Sequence, residues 1–335
     1  MRSVLPFVNY LVWVSARVFV DPLADERAVS TRDVAKEFLT RDDIARESNP
    51  SAEIATHTWF ALLSLSILVL VMYGSVLRSL ARQWWTDPNY GHGFFVLVFA
   101  GYVLWSERSR WLTTPFRPSN FGFAILVFAI GLRVLGMLAG ELFIGRLSLV
   151  ILISGMVLFL AGRPTLRSMA FPIGYLLFMI PLPGIVYFQL TFPLQLWASR
   201  MAASGLVALG IHTVREGNLL MLPNCTLNVV EACSGIRSLL SLLAAAVAYG
   251  YLAEPRIWKR LALAVVSIPI AIASNGLRLV ATGVLSYFYG PRVDSGAVHL
   301  ALGLGFFTLA FLSILLVHRL LGLRSTGQNP APVTS

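Results

Sequence analysis

In Glu231-Ala232-Cys233-Ser234-Gly235-Ile236-Arg237, a carboxylate, a thiol and a guanidinium stand together at the head of an apolar run. From Ala232 to Ala253 the chain reads as about 22 residues of mostly Leu, Ala and Val, enough at 1.5 Å per residue to cross a hydrocarbon core of about 30 Å. Cys233 is therefore expected in the first turn of a membrane helix, where the helix dipole and a nearby cation favour its thiolate, the form that attacks a carbonyl carbon. The competing reading is an inert buried thiol, the usual fate of a membrane cysteine. Arg237, four residues on, shares that helical face and is placed to hold substrate or tune the thiolate. Glu231 just precedes the helix, where a carboxylate suits the dipole and acts as a cap.

Arg278 lies in Ser274-Asn275-Gly276-Leu277-Arg278, inside another apolar run. A guanidinium there costs about 2.5 kcal/mol or more at mid-membrane and less near the interface. Either it snorkels to the boundary, or it is a fixed cation that stabilises the oxyanion formed when a thiolate attacks a carbonyl. Asn275, at i, i+3, is placed to orient it. His299, in His299-Leu300-Ala301-Leu302-Gly303, opens the last apolar run. An imidazole can take a thiol proton and return it to a leaving amine; the alternative is a histidine that merely bonds a neighbouring helix. His92, in Tyr90-Gly91-His92-Gly93, either lines the same cleft or terminates a span.

These groups need elements to position them, and composition says what kind. The 335 residues are 57% hydrophobic and only 13% charged, with apolar runs too dense for separate water-soluble cores. The chain reads as an all-α, polytopic membrane helical bundle. Its net charge of +10 would suit nucleic acid, but the arginines lie mostly in short segments between apolar runs and read as topology signals, so no nucleic-acid partner is expected. Cys225 and Cys233 are too few for a disulfide framework and lack partners at zinc spacing, so no metal and no cofactor are implied. Val4 to Val20 is broken by Asn9, Ser15 and Arg17, lacks a convincing cleavage site, and reads as interfacial or as an artefact of an upstream start codon.

Candidate spans run over Trp59–Leu80, Gly93–Ser106, Phe121–Gly140, Leu147–Ala161, Met169–Val186, Ala232–Ala253, Leu261–Tyr287 and Ala297–Val317, about eight in all. Phe188 to Gly210 carries Thr191, Gln195 and Ser199 at i, i+4, i+8, a stripe that suggests a helix lying in the interface. With that helix flat, every strong basic cluster (the arm, Arg108 to Arg117, Arg163 with Arg167, Arg256 to Arg260, Arg319 with Arg324) faces the cytoplasm. Counted as a span, it would put the last two outside. The expected organisation is a polar cytosolic arm over 1–58, a membrane domain over 59–320 and a cytosolic tail over 321–335, both termini inside. Cys233 then begins its helix at the outer face, Arg278 lies about 26 Å along a helix that starts inside, and His299 opens the last span from outside. All three share one membrane level.

Glu231 to Arg237 with Ser238-Leu239-Leu240, then Asn275-Gly276-Leu277-Arg278 and the His299-to-Gly303 pattern, together resemble the exosortase/archaeosortase family of multi-pass cysteine transpeptidases. Arg215-Glu216-Gly217-Asn218 to Val229-Val230 and the Tyr90 to Phe94 loop are also similar, so the resemblance covers roughly residues 60 to 317. It implies a bacterial inner-membrane enzyme that cleaves the C-terminal sorting signal of exported proteins: a short Pro-Glu-Pro-like motif, a membrane helix and a basic tail. Carried over residue by residue, it makes Cys233 the nucleophile, Arg278 the oxyanion or thiolate stabiliser and His299 the acid/base. The long polar N-terminal arm and the short C-terminal tail depart from the common pattern and leave the subfamily open. The implied partners are those exported proteins and the lipid bilayer, with the oligomeric state open.

Two other readings stand beside it. A membrane thiol oxidoreductase would cycle Cys225 and Cys233 as a disulfide, though no C-x-x-C supports it. A transporter would use Arg278 and Asn275 beside Pro269 in a broken helix, and would show inverted repeats that the sequence does not display.

Overall fold

The computed structural model of the chain describes residues 50–115, 117–229, 235–290 and 296–326. In chain order these form α1 (Pro50–Thr86), α2 (His92–Ser106), α3 (Arg108–Leu112), α4 (Phe121–Leu138), α5 (Leu142–Leu160), α6 (Arg163–Ser168), α7 (Ala170–Tyr175), α8 (Gly184–Ala208), strands β1 (Val214–Glu216), β2 (Leu219–Met221) and β3 (Thr226–Asn228), α9 (Gly235–Ala253), α10 (Ile257–Tyr289) and α11 (Gly296–Thr326). Two compact units result, one of the chain up to Ala81 with Ala100–Leu177, the other of Arg82–Phe99 with everything from Phe178 on.

In the first unit α4 and α5 form a hairpin whose backbones come close because glycines face the contact. A Cβ on Gly122 would collide with the Phe159 backbone, and one on Gly136 would stand 2.8 Å from the Gly145 nitrogen. Polar groups of this apolar hairpin are answered from α1. Arg133 donates to Ser75 and Arg146 to Ser79, both at 3.0 Å, and the fully buried Tyr73 hydroxyl meets Ser148 Oγ at 3.1 Å.

The second unit packs α8, α9, α10 and α11 with a three-stranded antiparallel sheet in the order β1-β2-β3. Leu220, Leu227 and Val229 of the sheet region bury against Ala198 and Leu206 of α8 and Leu279 of α10. Leu242, Leu263, Ala271, Ala310 and Ile314 join α9, α10 and α11 in a second core. The sheet is a local exception to an all-helical expectation: alternate side chains of β2 and β3 are buried while their neighbours stay more open, the period of a half-buried strand.

Among the described residues five helices, α4, α5, α9, α10 and α11, are long and apolar enough to cross a membrane by length and composition, and a bent pair would make a sixth. That bent pair corrects the expected span Met169–Val186. The chain runs through α7 and a 3-10 turn at Leu176–Met179, then breaks over Ile180 to Pro183 and restarts as α8, turned by 77°. Pro181 and Pro183 supply no N–H to the preceding turn, so its carbonyls need other donors. Trp84 Nε1 donates to the Met179 carbonyl at 3.0 Å, and His92 Nε2 meets the Phe178 carbonyl at 3.2 Å. The Trp84 indole lies so close over Gly93 that a Cβ there would overlap it.

The stripe that suggested an interfacial helix has another explanation. Thr191, Gln195 and Ser199 are 5%, 8% and 0% exposed, so this face of α8 turns into the protein. Elsewhere the boundaries differ by up to nine residues: α1 begins at Pro50, ahead of Trp59, α5 at Leu142 instead of Leu147, and α11 runs on to Thr326 beyond Val317, while α2 is a 15-residue apolar helix.

Candidate functional site

A cavity of about 620 Å³ opens in the second unit, lined by Asn89, Tyr187, Phe188, Thr191, Phe192, Gln195, Asn218, Arg237, Arg278 and His299. Three residues singled out from the sequence, Arg237 on α9, Arg278 on α10 and His299 on α11, thus share one cavity although they come from three helices. Arg237 lies in the first turn of α9, half-buried, with Nε donating to Asn89 Oδ1 at 3.3 Å. Arg278 reaches α11 beside Gly303, where a Cβ would stand 3.6 Å from its Nη1. Gly303 is four residues after His299, so one face of α11 offers an imidazole and then room for a guanidinium. Among the described residues lining the cavity there are two guanidiniums and no carboxylate.

Asn275 does not orient Arg278 by a hydrogen bond. It is 6% exposed on the α10 face toward the start of α9, where its Nδ2 would stand 3.0 Å from a Cβ at Gly235. Its Oδ1 is buried with no hydrogen-bond partner among the described residues. Gly235 is thus a point of close approach between α9 and α10. His92 does not line the cavity; its Nε2 is committed to the Phe178 carbonyl at the helix break. Cys233 and Glu231 lie outside the described residues.

Sequence reasoning missed the neutral wall of the site. Asn218 sits in the β1–β2 turn beside Gly217, whose φ of +59° is a glycine conformation. Its side chain donates to Gln195 Oε1 at 3.0 Å. The signal is present as the spacing of Thr191, Gln195 and Ser199, which by itself reads as a helix lying in the interface.

Cys225 packs against the sheet core, its thiol directed at the Ser286 carbonyl at 3.9 Å. Burial pushes its pKa up, the opposite of what a redox-active thiol needs. Among the described residues no cluster of three or more His, Cys, Asp or Glu side chains is placed to hold a metal ion.

Apolar helices of membrane length around a cation-lined cavity define a polytopic membrane protein with a built polar site. Within that class, residues 84–316 match the family of transmembrane exosortases, and the chain belongs to it. No curated protein matches the chain, and no solved structure does. Membership carries, in broad terms, a membrane transpeptidase or protease role toward exported proteins that bear sorting signals.

Proposed function

We propose that the chain is a cysteine transpeptidase that cleaves the C-terminal sorting signal of exported proteins, a Pro-Glu-Pro-like motif followed by a membrane helix and a basic tail. Cys233 is the nucleophile, Arg278 stabilises the thiolate or the oxyanion, His299 is the acid/base, and Arg237 holds substrate or tunes the thiol. The observation that carries this reading is the convergence of Arg237, Arg278 and His299 on one cavity at the head of α9. Gly235, the first described residue of α9, follows Cys233 by two positions. Glu231 caps the helix that bears the thiol. The enzyme works in the inner membrane with its site at the outer face and both termini in the cytoplasm.

The thiolate adds to the scissile carbonyl, and collapse of the adduct expels the amine, which takes the proton held by the imidazole. A thioester remains for water or an amine to resolve. Cys233→Ala and Cys233→Ser are expected to abolish processing, because neither supplies a comparable nucleophile, while Cys225→Ser keeps most of it. Full-length substrate then accumulates in membranes and is read as a mass shift on a gel. Continued processing by Cys233→Ala would remove the central claim, and loss of processing in Cys225→Ser would favour the oxidoreductase.

A further inference from the structure

We propose that Gln195 is a further catalytic residue: its side-chain carboxamide donates a hydrogen bond to the scissile carbonyl oxygen as that oxygen becomes an oxyanion. This rests on the cysteine-transpeptidase reading above.

The three polar residues of the α8 stripe are not spent alike. Thr191 Oγ1 bonds the Tyr187 carbonyl at 2.6 Å, and Ser199 Oγ bonds the Leu196 and Gly217 carbonyls, each at 3.0 Å. Both hydroxyls thus serve the fold. Gln195 is different. Its Oε1 accepts from Asn218 Nδ2 at 3.0 Å, which leaves Nε2 for another partner. Nε2 bonds no described residue and is not among the fully enclosed polar atoms, while Gln195 lines the cavity. A carboxamide held on one side by Asn218 and open to the cavity on the other keeps its N–H donors free for an acceptor that enters there. A ligand oxygen in the cavity is such an acceptor.

Asn218 is held hard enough to act as the support. Ser199 grips the Gly217 carbonyl next to it, and its own carbonyl accepts from Val229 N at 3.0 Å. That second bond ties the turn to the end of β3, the strand from which the chain runs on to Cys233. Gln195 is therefore braced, through Asn218, by the end of β3.

The chemistry asks for such a group. When the Cys233 thiolate forms the C–S bond, the carbonyl π pair moves onto oxygen; when the pair returns, the C–N bond breaks and the amine leaves with the proton from His299. The oxygen carries a full charge only in between. A preorganised neutral donor gains most at that moment, and in comparable sites removing one such donor lowers kcat by about 100- to 1000-fold. Arg237 and Arg278 line the same cavity and favour negative charge there, although the Asp87 carboxylate also acts on Arg237.

The test uses the full chain in liposomes and a membrane-inserted polypeptide ending in a Pro-Glu-Pro motif, an apolar helix and a basic tail. Gln195→Ala and Gln195→Glu are each expected to lower kcat by about 100-fold or more, with KM within a few-fold of wild type. Gln195→Glu still accepts from Asn218 and lacks the donors, so it carries the test if Gln195→Ala does not fold. Asn218→Ala, which removes a positioning residue, is expected to lower kcat less, and in the double variant to add nothing to Gln195→Ala. Wild-type kcat in a folded Gln195 variant, or a loss confined to KM, overturns the proposal while an inactive Cys233→Ala leaves the enzyme reading intact. An active Cys233→Ala overturns both.

Discussion

Arg278 sits in a helix of otherwise membrane-like composition, where a guanidinium costs about 2.5–3.5 kcal/mol unless it faces a polar space. It faces one, shared with His299 from the next helix. A planar fork and a point charge differ in such a place. Arg278→Lys keeps the charge but loses the paired N–H directions, so processing is expected to fall by about 10-fold or more. His299→Ala is expected to slow both acyl transfers, seen as slower thioester formation and slower thioester resolution in single-turnover experiments. Wild-type rates in both variants would leave Cys233 without these partners and end the triad. Charges of this kind were legible in the sequence because each interrupts an apolar run. Gln195, Asn218 and Asn89 were not legible as a group, because neutral polar residues are common, and Gln195 reaches Asn218, and Asn89 reaches Arg237, only through contacts far apart in the chain.

At the scale of elements, the long apolar helices α4, α5, α9, α10 and α11 follow from composition, whereas the break between α7 and α8 depends on side chains from elsewhere. Pro181 and Pro183 mark where a helix ends; only the donors Trp84 and His92 explain why the ends are tolerated. The ties between α9, α10 and α11 were equally hidden. Glu254, just past α9, accepts from Lys259 at 3.1 Å and from His318 Nε2 at 3.3 Å, and the other ring nitrogen of His318 pairs with the Tyr249 hydroxyl at 2.7 Å. Burial pushes the Glu254 carboxyl up, but the bonds and charges of Lys259 and His318 outweigh it and leave the group below its ordinary range. A folded-state pKa below the unfolded value of about 4.3 gives stability that is complete above that value and lost as pH falls through the folded one. Glu254→Gln leaves the 4%-exposed Lys259 without its carboxylate, at a cost of about 3–5 kcal/mol. Thermal melting in detergent at neutral pH is expected to drop by several degrees, with the gap to wild type closing as the pH falls below about 4. Equal melting at neutral pH would reduce this cluster to a surface contact.

Across the whole molecule the two polar ends of these helices are spaced like a bilayer. His299 faces the cavity and His318 the Glu254 cluster; 19 residues of one helix separate them, about 28 Å, against a hydrocarbon core of about 30 Å. A cluster of basic residues stands at the Glu254 end, with Arg256, Lys259 and Arg260 at the start of α10 and Arg319 near the end of α11. Positive charge is retained in the cytoplasm, which supports the orientation proposed above, with the Glu254 end inside and the cavity outside. A reporter active only in the periplasm is therefore expected to work when fused near Asn224 or Gly290, and to stay silent near Pro255 or after Arg324. The inverse pattern would put His299 and the head of α9 in the cytosol, where no exported sorting signal arrives, and the transpeptidase reading would fall with it.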